Sequence, residues 1–184
     1  MVTELEIHRR EPVLGGKSFG DTGPYEKIVG TMRYAVDPEH PLHRRITDIQ
    51  RAERNAQGHV EFAGDFYLLR PAERDKGNRC VLWDVPNRGR KSTLGLFNST
   101  PRSPDPTTEQ DFGNGFLLRR GYTLGWAGWQ ADLPRQDGVM ALEVPRAKGV
   151  VDFIRVELRP HTRVAKMPLG DLSHFTCPSL PQPT

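Results

Sequence analysis

An α/β chain with a β-rich N-terminal portion is written into three features of this sequence. Apolar and polar residues alternate with a period of two in several stretches between Leu5 and Arg70, the pattern of half-buried strands. A compact apolar run, Cys80 to Val85, precedes a segment of helical spacing and a second apolar run, Tyr122 to Ala127. Gly 18 and Pro 16 among 184 residues make a turn-rich chain that stays below the level of low-complexity disorder. Together they predict antiparallel strands first and then a strand–helix–strand crossover. Length predicts one domain, residues 1–170, followed by an irregular tail at 171–184.

Leu5, Ile7 and Arg9 fall opposite Glu4, Glu6 and His8, which predicts an edge strand. Gly15-Gly16, Gly20 and Gly23-Pro24 break the chain into a loop. Tyr25 to Val36 is the next strand, ended by Asp37-Pro38, and a short strand is expected at Ile46 to Ile49 within a polar link. His59 to Arg70 alternates again. Cys80 to Val85, apolar and bounded by turn residues, reads as a strand buried on both faces, with Cys80 as a small core residue. A helix is expected over Glu109 to Arg120: Phe112, Phe116 and Leu117 share a face, Arg119-Arg120 occupies the last turn and Gly121 stops it. Tyr122 to Ala127 then reads as a buried strand, and Val150 to Leu158 as a further alternating one.

Composition excludes several classes of function. Lys plus Arg number 26 against 23 acids, a net charge of +3 dispersed in pairs and triplets, so the basic stripe with aromatics that nucleic acid requires is missing. Two cysteines, Cys80 and Cys177, make no disulfide scaffold. The acidic start, Met1 to Glu6, is unlike a signal peptide, and no run of apolar residues is long enough to span a membrane. The expectation is a soluble cytoplasmic protein with no membrane, metal or cofactor.

Gly16-Lys17-Ser18-Phe19-Gly20 matches G-x-S-x-G, the elbow that lifts a nucleophilic Ser out of a strand-to-helix turn. Neither a central strand before it nor a helix after it is in prospect, so a glycine-rich surface loop is the better reading of Ser18. His40 and His43 are close enough to share an ion, yet no Cys or acid cluster completes a metal set. His161 follows a strand end without a visible Ser or Cys to serve as base. Asn87 to Ser92 resembles a phosphate loop but lacks the Walker spacing, leaving nucleotide binding a weak option.

The loop Asn87-Arg88-Gly89 is more informative in its setting, because it leaves the C-terminal end of a strand, where open α/β sheets place ligands. Trp126 to Gln130 leaves the second strand of the same crossover and should open on the same edge. Backbone N–H groups of Asn87, Arg88 and Gly89 could hold a developing oxyanion, with Trp129 and Gln130 on the substrate side. Core packing is the stronger reading for Trp126, whereas Trp129 and Gln130 lie beyond the strand, where loops carry function.

An ordered set of segments extends this: Gly23 to Glu26, Tyr34 to Pro38, Arg54 to Gly58, Asp65 to Pro71, Asp84 to Gly89 and Arg120 to Leu133. Taken in order over roughly residues 4–170, the set resembles the N-terminal part of a bacterial family of α/β-hydrolase domain proteins, largely uncharacterised and assigned as esterases. The resemblance implies a Ser nucleophile in an elbow downstream of the Trp-x-x-Trp-Gln strand, with the acid and His later still. It implies a small acyl or ester substrate for the longer protein, and a missing C-terminal half of the hydrolase domain as this chain's partner. It also assigns Gly16 to Gly20 to an N-terminal loop. Two readings follow: an N-terminal hydrolase fragment inactive alone, or a small β-rich binding or assembly module without catalysis.

Overall fold

The computed structural model describes residues 1–133, 136–151, 159 and 161–165. Its frame is a six-stranded mixed sheet: β1 (Val2–Pro12), β2 (Tyr25–Val36), β3 (Val60–Pro71), β4 (Val81–Asp84), β5 (Thr123–Ala127) and β6 (Leu142–Glu143). The order is β1-β2-β3-β5-β4, with β6 beside β3 as well. β1, β2, β3 and β5 are successively antiparallel, and β4 joins β5 in parallel. The short helices α1 (Thr93–Phe97), α2 (Glu109–Phe112) and α3 (Phe116–Arg119) fill the connection from β4 to β5. The β-rich α/β expectation therefore holds. Three of the expected strands sit within β1, β2 and β3, and the tail at 171–184 lies outside the described residues, as does most of the strand expected at Val150 to Leu158.

Register explains which face is the core. Tyr67 pairs with Trp126, Leu69 with Leu124, and Leu124 with Leu82, so these side chains share one side of the sheet. Leu94, Phe112, Leu117, Leu118 and Met140 pack onto them. Tyr25 is fully buried in this layer, its hydroxyl 2.9 Å from the carbonyls of both Leu118 and Tyr122. Trp126 is fully buried too, edge-on to Tyr67 at 5.6 Å between ring centroids, which settles its role as core.

Several expectations are corrected. Among the described residues β4 pairs only with β5 and stands at the edge of the sheet, with Val81 60% exposed and Trp83 49%. An apolar run reports the chemistry of a strand's neighbours only when they are all present, so the two-face burial read from it fails here. Cys80, one residue before this strand, is exposed and free instead of a core residue. Ile46 to Ile49 forms tight turns, not a strand, with Asp48 left-handed at φ 56°. Ile49 is still buried, against Val36 and Val60.

The helix expected over Glu109 to Arg120 is broken in two. Gly113 and Gly115 both take positive φ, 53° and 65°. Between the pieces sits Asn98, fully buried; its Nδ2 donates to Phe112 O at 3.1 Å and its Oδ1 accepts from Leu117 N at 3.1 Å. One side chain thus satisfies the last carbonyl of α2 and an opening amide of α3. A Cβ at Gly113 would stand 2.2 Å from Asn98 O, so the glycine is required by close approach. Asn98→Ala is expected to cost about 2 kcal/mol, because both helix ends lose a buried partner. Urea denaturation of the variant checks it; a loss below a few tenths of that would show that water replaces the amide.

Candidate functional site

The two loops at the C-terminal ends of β4 and β5 meet. The parallel register sets Asp84 beside Trp126, so residues 85–92 and 128–132 emerge together. Arg88 N donates to Gln130 Oε1 at 2.7 Å, and Trp129 Nε1 donates to Pro86 O at 2.9 Å. Arg88 Nη1 and Nη2 reach Asp132 Oδ2 at 2.8 Å and Asp132 O at 3.2 Å. Asn87, Arg88, Gly89, Trp129 and Gln130 are therefore neighbours in one corner of the fold.

The loop is a tight, left-handed turn. Arg88 has φ 54° and Gly89 φ 71°; Gly89 N bonds Pro86 O and Arg90 N bonds Asn87 O, each at 3.2 Å. Gly89 O accepts from Met140 N at 2.9 Å, which ties the turn to the segment leading into β6. Two backbone donors expected to meet an oxyanion thus already have acceptors: Gln130 Oε1 for Arg88 and Pro86 O for Gly89. The Gln130 carboxamide is the exchangeable one of the two, since a side chain can turn away while the Pro86 bond closes the turn itself.

Two groups that the sequence did not single out hold this corner. Asp84 Oδ2 accepts from Ser92 N and Oγ at 3.1 and 3.3 Å, from Thr93 N and Oγ1 at 3.1 and 2.7 Å, and from Trp126 Nε1 at 2.8 Å. Burial pushes the Asp84 carboxyl up, but these hydrogen bonds outweigh it and hold the group below its ordinary range. Lys91, two residues beyond Gly89, is buried and donates to the carbonyls of Pro104 and, at 3.1 Å, Gly138, with Nζ 4.5 Å from the Tyr67 ring centroid. A carboxylate at a strand end facing Ser-Thr, and a lone Lys after a glycine turn, are signals available in sequence. Neither marks its own partners, which lie on other elements.

The remaining candidates are scattered. Ser18 is exposed, bridged through its backbone to Pro24, and among the described residues no imidazole or carboxylate is hydrogen-bonded to its hydroxyl. Phe19 is what that loop anchors, 5.6 Å from Tyr25 and 5.9 Å from Phe112 between ring centroids. The rings of His40 and His43 are 4.9 Å apart. His40 Nδ1 accepts from Leu42 N, whereas His43 Nδ1 must donate to Asp37 O, so both Nδ1 atoms are already used within the turn. That pairing does not chelate. Among the described residues no group of three or more His, Cys, Asp or Glu could hold a metal ion, and no helix is long and apolar enough to cross a membrane. His161 is exposed.

Compared with known proteins, the chain returns no matching family model, no matching curated protein and no matching solved structure.

Proposed function

We propose that this chain is the N-terminal part of a serine ester hydrolase of the α/β-hydrolase fold, and that it supplies the oxyanion side of the site and not the nucleophile. The observation that carries this reading is the Arg88 amide, 2.7 Å from Gln130 Oε1 on a turn at the C-terminal end of a parallel strand. In α/β-hydrolases one oxyanion donor is a backbone N–H from the loop after such a strand. Gln130 then stands in for the substrate oxygen and leaves when an acyl carbonyl enters, with Trp129 flanking it. Among the described residues the outer edge of β4 is unpaired, and Val81, Trp83 and the following Val85 are exposed, which fits a sheet that continues past this strand. The parent's Ser would attack the acyl carbonyl and its His would carry the proton, while these donors hold the oxyanion.

Hydrolysis of p-nitrophenyl acetate by the purified chain tests this. The expectation is no turnover above buffer for the wild type and for Ser18→Ala alike, because donors alone do not replace a nucleophile and base. Turnover abolished by Ser18→Ala would overturn it. The internal satisfaction of the Arg88 and Gly89 amides favours a second reading, a β-rich binding or assembly module. A cooperatively melting monomer, with no gain of esterase activity when the downstream half of a family hydrolase is supplied, would favour that reading over the first.

A further inference from the structure

A cavity of about 700 Å³ opens on the helix-covered face of the sheet, beside the turn at Asn87 to Gly89, whose Gly89 O accepts from the cavity-lining Met140. Arg9, Val29 and Tyr67 form its floor; Lys91, Asp105 and Met140 stand on its walls. Lys91 lines it, and a second buried lysine, Lys27, bonds Asp105 of its wall; the two differ in how their donors are used. Lys27 Nζ has three N–H donors and three acceptors: Glu11 Oε1 at 2.8 Å, Asp105 Oδ1 at 3.2 Å and Pro106 O at 3.2 Å. Lys91 Nζ has two acceptors, both backbone carbonyls, and the ring of Tyr67; among the described residues it forms no ion pair with a carboxylate. The Tyr67 face attracts an ammonium, yet with no carboxylate in contact the Lys91 amine recovers less of the solvation it loses on burial than Lys27 does.

The charged groups around Lys91 do not reverse this. Asp105 and Asp65 favour the ammonium, while Lys27 and Arg9 oppose it. Asp105 is already engaged by Arg9 at 2.7 Å, by Lys27 and by the Tyr67 hydroxyl at 3.0 Å, and Asp65 Oδ2 accepts from Ala141 N at 2.8 Å. Burial is the largest influence, and it pushes the Lys91 amine down to about 8.

We propose that Lys91 is a reactive amine on this cavity, and that the cavity takes small apolar aldehydes, which the amine captures as Schiff bases. The Nζ lone pair forms the C–N bond as the carbonyl π pair moves to oxygen, and one Nζ proton follows to give the carbinolamine. The second Nζ proton leaves with the hydroxyl as water when the C–O bond breaks, so the imine forms without oxidant, reductant or metal. Val29, Val139, Pro104 and Met140 supply apolar contact for an alkyl or aryl group. Desolvation of a lysine in such surroundings is a recognised route to an amine nucleophile. The inference is independent of the hydrolase reading, since it uses neither the Arg88 turn nor any serine.

Benzaldehyde with sodium cyanoborohydride, applied to the intact chain at pH 8, traps the imine, and peptide mass spectrometry locates it. An amine titrating near 8 is about half neutral there against about 0.3% for an ordinary lysine, so Lys91 should be labelled at least about tenfold more than Lys17, Lys76 or Lys148. Lys91→Arg keeps donors for both carbonyls but forms no imine, so it should lose the preferred adduct; its permanent charge should lower the melting temperature, and labelling is compared at a temperature where both chains are folded. Labelling of Lys91 no greater than that of the exposed lysines would overturn the proposal, as would unchanged total labelling of a folded Lys91→Arg chain.

Discussion

Replacing Asp84 with alanine is expected to lower the unfolding free energy by about 3–5 kcal/mol. One carboxylate oxygen gathers the Ser92 and Thr93 amides, both their hydroxyls and the Trp126 indole N–H. Trp126 is fully buried and Thr93 nearly so, so alanine strands their donors where water enters poorly. The loss is also directional. Asp84 ends β4, Thr93 opens α1 and Trp126 lies on β5, and the bonds that join them span the whole turn that carries Asn87 to Gly89. Asp84→Asn preserves shape and one acceptor oxygen and should cost less than half as much.

The same carboxylate gives a pH dependence of definite sign. Its folded-state value lies below its ordinary one, so its contribution is complete above the unfolded value, near 4, and is lost as pH falls through the folded value. Asp105 and Asp111, also held low, add to the acid loss of the wild type. Asp84→Asn should therefore show a shallower decline in stability between pH 5 and about pH 2 than the wild type. Urea titrations at several pH values measure both effects. An Asp84→Ala chain within 1 kcal/mol of wild type, or parallel acid declines for wild type and Asp84→Asn, would remove Asp84 from this role.

What was legible in the sequence depended on whether a signal is local. Alternation located the strands that became β1 and β3, because period two is a property of consecutive residues, and the Asp37-Pro38 stop bounded the apolar stretch that became β2. The adjacency of the Asn87 to Gly89 turn with Trp129 and Gln130 followed from a crossover of fitting length, and the Arg88–Gln130 bond realises it. Burial was less legible, since β4 carries a core composition while Trp83 lies open over Gly125, whose added Cβ would meet that ring at 2.5 Å. The broken helix at Gly113 to Gly115 needed Asn98, a residue beyond any helical window. Lys91 and Asp105 were illegible for the same reason: their meaning comes from Tyr67, Lys27 and Arg9, which three other strands deliver.

Gly89→Ala is the sharpest test of how tightly the candidate turn is built. Two costs coincide at this position: a φ of 71°, and an added Cβ 2.5 Å from Met140 O, 2.6 Å from Val139 Cγ1 and 2.9 Å from Leu133 Cδ1. The first alone is worth about 1–2 kcal/mol for an L residue. Gly58 isolates it, because φ is 80° there and nothing lies within 4 Å of an added Cβ. The second cannot relax cheaply, since Met140 O belongs to the backbone of the segment whose N–H bonds Gly89 O at 2.9 Å. Gly89→Ala is therefore expected to cost about 3–5 kcal/mol against about 1–2 for Gly58→Ala. It should also separate Arg88 from Gln130, visible as faster hydrogen exchange of the Arg88 amide at a denaturant concentration where both variants stay folded. Equal losses for the two variants would mean that the turn yields freely, and a turn that yields has no preorganised donor to offer an oxyanion.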